Sequence, residues 1–273
     1  MTALQSPKTI ADLIKLVVKA GKRAFFVSSA DGAGIPNARI AIDVSGVPQL
    51  NEVEVTKDKV VIGTGLSFGR LVRESAGENG LLRQAASLIA NPLVRNRVTL
   101  LQALDAESPY FDITTPLVLL EAKIRIQGPA GKRTLGIRDY LDALADGLKK
   151  GEVPIQIEFA ALPRELRTGF FRVVRATGKG SVSAAARMRL IRNVCKGPEI
   201  VVSSLSLVPV RTKSAEQELD DQAATEDVIQ RASVTAATEI LELGDSKNAL
   251  ERSLIEIAVA RTLRSIMEGS MPV

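Results

Sequence analysis

The stretch Ala24-Phe25-Phe26-Val27-Ser28-Ser29-Ala30-Asp31-Gly32-Ala33-Gly34 decides how the chain is read. Its four apolar residues read as a short buried strand, and the small residues after them as a loop. Upstream, Thr9 and Asp12 have capping-box spacing, with Asp standing where Glu or Gln is usual. Ile10, Leu13, Ile14, Val17 and Val18 then fall on one helical face. Gly21 stops that helix beside Lys22 and Arg23, where cations suit a helix C-terminus. Downstream, residues 38–44 read as a second strand leading to Val47-Pro48-Gln49-Leu50. Together these segments form a β-α-β-like block of about fifty residues.

The composition narrows the chemistry. The chain has 273 residues, 36 Lys+Arg, 31 Asp+Glu, one cysteine and no histidine. Without imidazole there is no Ser-His-Asp or Cys-His machinery and no His-ligated metal. One cysteine excludes an internal disulfide and an iron–sulfur cluster held by this chain alone. The net charge of +5 is spread along the chain, and 3% aromatic content leaves few stacking platforms, so nucleic acid is not an expected partner. Lys8, Asp12, Lys15 and Lys19 interrupt any signal-peptide core, and no apolar run reaches spanning length. The expectation is a cytoplasmic protein without membrane insertion.

From residue 51 the pattern changes. Val53 and Val55 alternate, Thr56-Lys57-Asp58-Lys59 makes a turn, and Val60-Val61-Ile62-Gly63 reads as a buried strand. Helices are expected from Ser67 to Val72 and over residues 81–89, the second ended by Asn91-Pro92. Residues 93–116 read as irregular. Residues 117–120 and 123–127 read as a strand pair, followed by a helix over 138–148 and a strand over 155–159. Ala161-Leu162-Pro163 looks like a boundary. Beyond it, strands over 170–175, 182–191 and 199–208 precede helices over 226–243 and 248–267.

The order of these elements resembles the flavin-binding (medium) subunit of molybdenum hydroxylases, the group of carbon monoxide dehydrogenase and xanthine dehydrogenase. The resemblance runs from about residue 5 to about residue 267. It is carried by the Phe25–Leu50 block, the Val60–Gly63 strand and Asn91-Pro92-Leu93-Val94-Arg95-Asn96. Ser108-Pro109 with Asp112, Gly131-Lys132-Arg133 with Ile137 and Tyr140, and Pro209-Val210-Arg211 with Ala215-Glu216 extend it. It implies an α+β chain with a two-subdomain FAD-binding fold of the molybdenum-hydroxylase/vanillyl-alcohol-oxidase type. The subdomains would be residues 1–50 and 51–163. A C-terminal domain over 164–273 would carry a three-stranded antiparallel sheet and helices.

The same resemblance implies FAD as cofactor, and an iron–sulfur subunit and a molybdopterin subunit as partners. The isolated chain could also form a homodimer. The task would be to relay electrons from the iron–sulfur subunit to an external acceptor. The family's flavin pyrophosphate sits on two glycine-rich loops, whose backbone N–H groups approach phosphate where no Cβ intervenes. The first loop, Ala-Gly-Gly-Thr-Asp, aligns with Val27-Ser28-Ser29-Ala30-Asp31. The second, Gly-Thr-x-Gly-Gly-Asn, aligns with Val98-Thr99-Leu100-Leu101-Gln102-Ala103. The implied cofactor-binding residues are Ser28, Ser29, Ala30, Asp31, Arg95, Asn96, Thr99, Leu101, Gln102, Ser108 and Asp112. No catalytic or metal-ligating residue is expected. Because the loop glycines are replaced, two readings stand. FAD is held by an altered grip through Ser28, Ser29 and Thr99. Alternatively, FAD has been lost, and the chain is a structural subunit or binds another anionic ligand.

Other features read as structural. Gly63-Thr64-Gly65 lacks the third glycine of a dinucleotide fingerprint and reads as a tight turn. Asp112 would otherwise cap the segment beginning Ile113-Thr114, and Thr99 would end a strand. Cys195 reads as a small hydrophobe beside Lys196. Arg187, Arg189, Arg192 and Lys196 read as a solvated sheet face or a subunit interface, and the acidic run 216–227 as a solvated helix flank.

Overall fold

The computed structural model describes residues 4–27, 40–74, 80–89, 91–174, 180–205 and 208–269. Contacts divide the chain into two units. One comprises Met1–Ser75, Ala90–Phe111 and Glu121–Ala161; the other comprises Ala76–Ile89, Asp112–Leu120 and Leu162–Val273. Two pieces lying between residues 51 and 163, 76–89 and 112–120, thus group with the C-terminal unit.

The first unit opens with helix Ile10–Ala20. Thr9 Oγ1 accepts the Asp12 N–H at 3.1 Å and donates to the Asp12 carboxylate at 2.8 Å. Gly21 ends the helix at φ 54°, a conformation glycine adopts without a Cβ clash. The buried face, Ile10, Leu13 and Ile14, packs with Ile42, Val44, Val153 and Ile155. Ile40–Asp43 is the central strand of a small parallel sheet, flanked by Leu4–Gln5 and Ala24–Val27. A second, antiparallel sheet orders Val53–Val55, Lys59–Gly63, Val153–Ala160, Lys123–Gly128 and Gly131–Gly136. Gly63 and Gly65 serve close backbone approach. A Cβ on Gly63 would stand 2.4 Å from the Leu50 carbonyl carbon, and one on Gly65 2.8 Å from Leu50 Cβ. Thr64 Oγ1 donates to Pro154 O at 2.7 Å, so this turn is tied down by protein.

The second unit carries a four-stranded antiparallel sheet in the order Val210–Arg211, Val194–Ser203, Ser181–Ile191, Arg167–Val174. Helices Glu226–Leu243 and Ala249–Glu268 cover it. Thr225 and Asn248 cap them by accepting first-turn N–H groups. Alternate residues Val182, Ala184, Ala186 and Met188 meet Ile200, Val202 and the buried faces of both helices. The alanines and Gly169 let a helix approach closely: a Cβ on Gly169 would stand 2.8 Å from Thr262 O.

Four expectations are corrected. Residues 117–120 are not a strand: Thr114–Leu119 is a helix with Pro116 in its first turn. Its run is buried on all sides, so it carried no period to tell helix from strand. The third C-terminal strand is Val194–Ser203, not 199–208, and a short edge strand, Val210–Arg211, follows it. Arg192 and Asn193 both take positive φ (49° and 63°), the two-residue hairpin turn that joins it directly to Ser181–Ile191. Residues 93–116 hold short helices rather than irregular chain. Glu216 is not a solvated flank. It is buried, and its Oε1 accepts the Ile200 N–H at 2.9 Å and Arg211 Nε at 2.7 Å.

Arg187 pairs with Glu199 at 2.8 Å and Lys196 with Asp221, while Arg189 and Arg192 are exposed. Burial, with Asp220 nearby, pushes the Cys195 thiol pKa up, which keeps it in the un-ionised, unreactive form.

Candidate functional site

The site implied by sequence spans two segments, the strand Ala24–Val27 with the loop after it and the chain from Arg95 to Asp112. Ser28, Ser29, Ala30 and Asp31 lie outside the described residues. The second loop is described throughout. Residues Leu100–Ala103 form a one-turn helix capped by Thr99, whose Oγ1 accepts the Gln102 N–H at 3.1 Å. Thr99 is therefore a helix cap rather than a strand end. The signal was present as Thr99-Leu100-Leu101-Gln102, the Thr-x-x-Gln form of the capping box.

Four consecutive backbone donors of this loop, from Leu100 to Ala103, are engaged by the protein. The Leu100 N–H bonds Leu66 O at 3.0 Å, and the Leu101 N–H bonds Thr64 O at 2.6 Å. The Gln102 N–H takes the Thr99 hydroxyl, and the Ala103 N–H bonds Thr99 O at 3.0 Å. Leu101 is 3% exposed and packs into the core with Ile42, Val44 and Val153. Where the family brings bare backbone against its cofactor, this chain inserts an isobutyl group and closes the donors on itself.

Leu101, Gln102 and Ser108 are nevertheless brought near the strand Ala24–Val27. Gln102 and Ser108 line a cavity of about 200 Å³ beside Phe25 and Phe26. Leu101 lines a second cavity, of about 340 Å³, with Val17, Phe26, Leu104 and Tyr140. Asp105 and Glu107 line both, and no Lys or Arg among the described residues lines either. Glu152 adds a third carboxylate to the larger cavity, and carboxylates without a described lining cation disfavour a pyrophosphate there by Coulomb repulsion.

The remaining candidates take other roles. Asn96 caps the end of helix Pro92–Arg95, and its side chain lies where a Cβ on Gly69 would stand. Arg95 has a buried Nε with no hydrogen-bond partner among the described residues. Neither lines the two cavities. Ser108 Oγ accepts the Tyr110 N–H at 3.3 Å. Asp112 belongs to the second unit and does not cap a helix. Its Oδ2 stands 2.5 Å from Arg172 Nε, at ion-pair range but without hydrogen-bond alignment, and accepts Ser181 Oγ at 2.6 Å. The second loop as described does not fit a pyrophosphate, because the N–H groups of Leu100 to Ala103 are taken by protein groups.

Tyr140 was not singled out as a site residue, yet it is the largest fully buried side chain and lines the larger cavity. Its hydroxyl donates to Leu104 O at 3.0 Å. Burial, with the Asp105 charge nearby, pushes its pKa far above the ordinary value near 10. The unfolded chain therefore releases this proton above about pH 10 while the folded chain keeps it. The stabilisation is full below that pH and is lost at up to about 1.4 kcal/mol per pH unit above it. Tyr140→Phe should remove that part of the slope, read from urea unfolding of both proteins at about pH 9 and about pH 11. Equal slopes in both would contradict it.

Comparison with known proteins agrees with the element order. The family described as the FAD binding domain in molybdopterin dehydrogenase matches residues 1–160. The carbon monoxide dehydrogenase medium chain of Hydrogenophaga pseudoflava is 23% identical over 271 residues, covering 93% of this chain and 94% of that one. The xanthine dehydrogenase FAD-binding subunit of Escherichia coli O157:H7 is 25% identical over 66% of this chain and 64% of its own. Among solved structures, reconstituted CO dehydrogenase from Oligotropha carboxidovorans superposes with a TM-score of 0.77 at 21% identity, covering 98% of both chains. Quinoline 2-oxidoreductase from Pseudomonas putida 86 gives 0.77 at 20%, over 99% of this chain and 98% of that one. No described helix is long and apolar enough to cross a membrane. From the opening helix through the closed second loop to the sheet-and-helix C-terminal unit, this chain belongs to the FAD-binding medium-subunit family of the molybdenum hydroxylases.

Proposed function

We propose that this chain is the medium subunit of a molybdenum-hydroxylase-type complex, kept for its fold and its partner contacts, with the flavin grip of the second loop replaced by protein packing. Its partners in this reading are an iron–sulfur subunit and a molybdopterin subunit. One observation carries it: the N–H groups of Leu100, Leu101 and Gln102 are all engaged by Leu66, Thr64 and Thr99. Breaking three such bonds to admit a phosphate would lose about as much as the new contacts return. The paired Asp112 and the carboxylates of both neighbouring cavities point the same way.

The test is cofactor content after co-purification with the neighbouring subunits. The expected complex contains iron, sulfide and molybdopterin, while the flavin released on denaturation stays well below one per medium chain. A second reading keeps FAD as an electron relay, gripped by Ser28 and Ser29. It is favoured by the cavity that Gln102 and Ser108 line beside the strand entering that loop. Stoichiometric FAD in the purified complex would select this second reading. A chain that assembles with neither partner would sink both.

A further inference from the structure

A different feature lies wholly within the C-terminal unit. Helix Leu81–Ile89 starts after Gly80, strand Arg167–Val174 starts at Arg167, and helix Ala249–Glu268 ends at Gly269. These three ends surround a cavity of about 470 Å³. Its charged lining is Arg83, Arg164 and Arg167, and no Asp or Glu among the described residues lines it. Each of the three is exposed, and none has a carboxylate at ion-pair distance among the described residues. Arg167 Nη1 covers the Ile266 carbonyl at 3.2 Å, which answers the negative end of the long helix.

A second observation is independent of these charges. Gln84 lines the same cavity and is only 7% exposed. Its backbone N–H bonds Gly80 O at 2.7 Å, but its side-chain amide has no hydrogen-bond partner among the described residues. Its polar atoms are not among the buried unpartnered ones, so they keep access to solvent, and a polar ligand in the cavity would find an unengaged donor and acceptor there.

We infer that this groove binds a small molecule bearing phosphate groups. Three guanidinium forks without a counter-charge among the described residues repel one another, and phosphate oxygens match their paired N–H geometry. The N-terminal end of helix Leu81–Ile89 adds partial positive charge at the same place. The volume falls in the range of small-molecule sites and exceeds the needs of a lone phosphate. The groove is distinct from the flavin-loop residues. None of its lining residues is among those implied to hold the flavin.

Isothermal titration of the purified chain with inorganic pyrophosphate at low ionic strength tests this. Binding is expected to weaken about tenfold or more in Arg83→Gln/Arg164→Gln, whose exposed side chains leave the core intact. Gln84→Leu is expected to weaken it with no change of net charge, which diffuse attraction alone would not do. Melting curves establish that each variant is folded. Absence of binding by the wild-type chain, or affinity indifferent to both variants, would overturn the inference. So would binding of an acidic peptide in preference to pyrophosphate, which would make the groove a protein-docking surface.

Discussion

Leu101→Gly should lower the unfolding free energy by about 4 to 6 kcal/mol and should not by itself bring in FAD. The leucine is 3% exposed and packs on Ile42, Val44 and Val153, so its loss leaves a cavity in a core built from both sheets of the first unit. Leucine-to-alanine changes at such sites cost about 3 to 5 kcal/mol, and glycine within a helix adds about 1 kcal/mol. The donors beneath it would remain bonded, since the Leu101 N–H reaches Thr64 O through the backbone alone. Urea unfolding reads the first quantity and fluorescence titration with FAD the second. A loss below about 1 kcal/mol would mean that the loop is not part of the core. Recovery of the lost stability on adding FAD would mean that the leucine merely plugs a competent grip, and the scaffold reading would fall.

The fold was legible where local rules agree with burial. Thr9 and Asp12 announce a helix, and the turn read at residues 56–59 joins the paired strands Val53–Val55 and Lys59–Gly63. Reading failed where a signal was ambiguous or came from elsewhere in the chain. The run Leu117-Val118-Leu119-Leu120 is buried whichever way it points, so periodicity carried nothing. Arg192-Asn193 makes a hairpin turn without glycine, so the usual turn residue is absent at the boundary. At the site, the glycine replacements were visible, but their consequence was not. Thr99-Leu100-Leu101-Gln102 could be read as a damaged phosphate loop or as a capped helical turn. The choice is made by Leu66 and Thr64, more than thirty residues earlier, whose carbonyls receive its N–H groups. Asp112 depends in the same way on Arg172 and Ser181, which no local spacing reveals.

That dependence sets the second large effect: Asp112→Ala should destabilise the chain by about 3 to 5 kcal/mol in the absence of any ligand. The two side chains are 7% and 12% exposed, so the ion pair sits where water cannot replace a missing partner. Removing the carboxylate leaves the Arg172 charge buried beside Ser181, whose hydroxyl loses its acceptor. Arg172 would keep the Ile89 O contact at 2.8 Å, a neutral acceptor that does not balance a guanidinium charge. The double variant Asp112→Ala/Arg172→Met should therefore lose less than Asp112→Ala alone, because it removes the orphaned charge. Denaturant unfolding of the four proteins in the cycle measures this coupling. A carboxylate held in reserve for a cofactor would behave otherwise. Its loss would change the ligand-free chain by about 0.5 kcal/mol or less, and the two substitutions would add. Strong coupling would assign Asp112 to the architecture of the C-terminal unit, where its carboxylate holds Arg172 and Ser181 together.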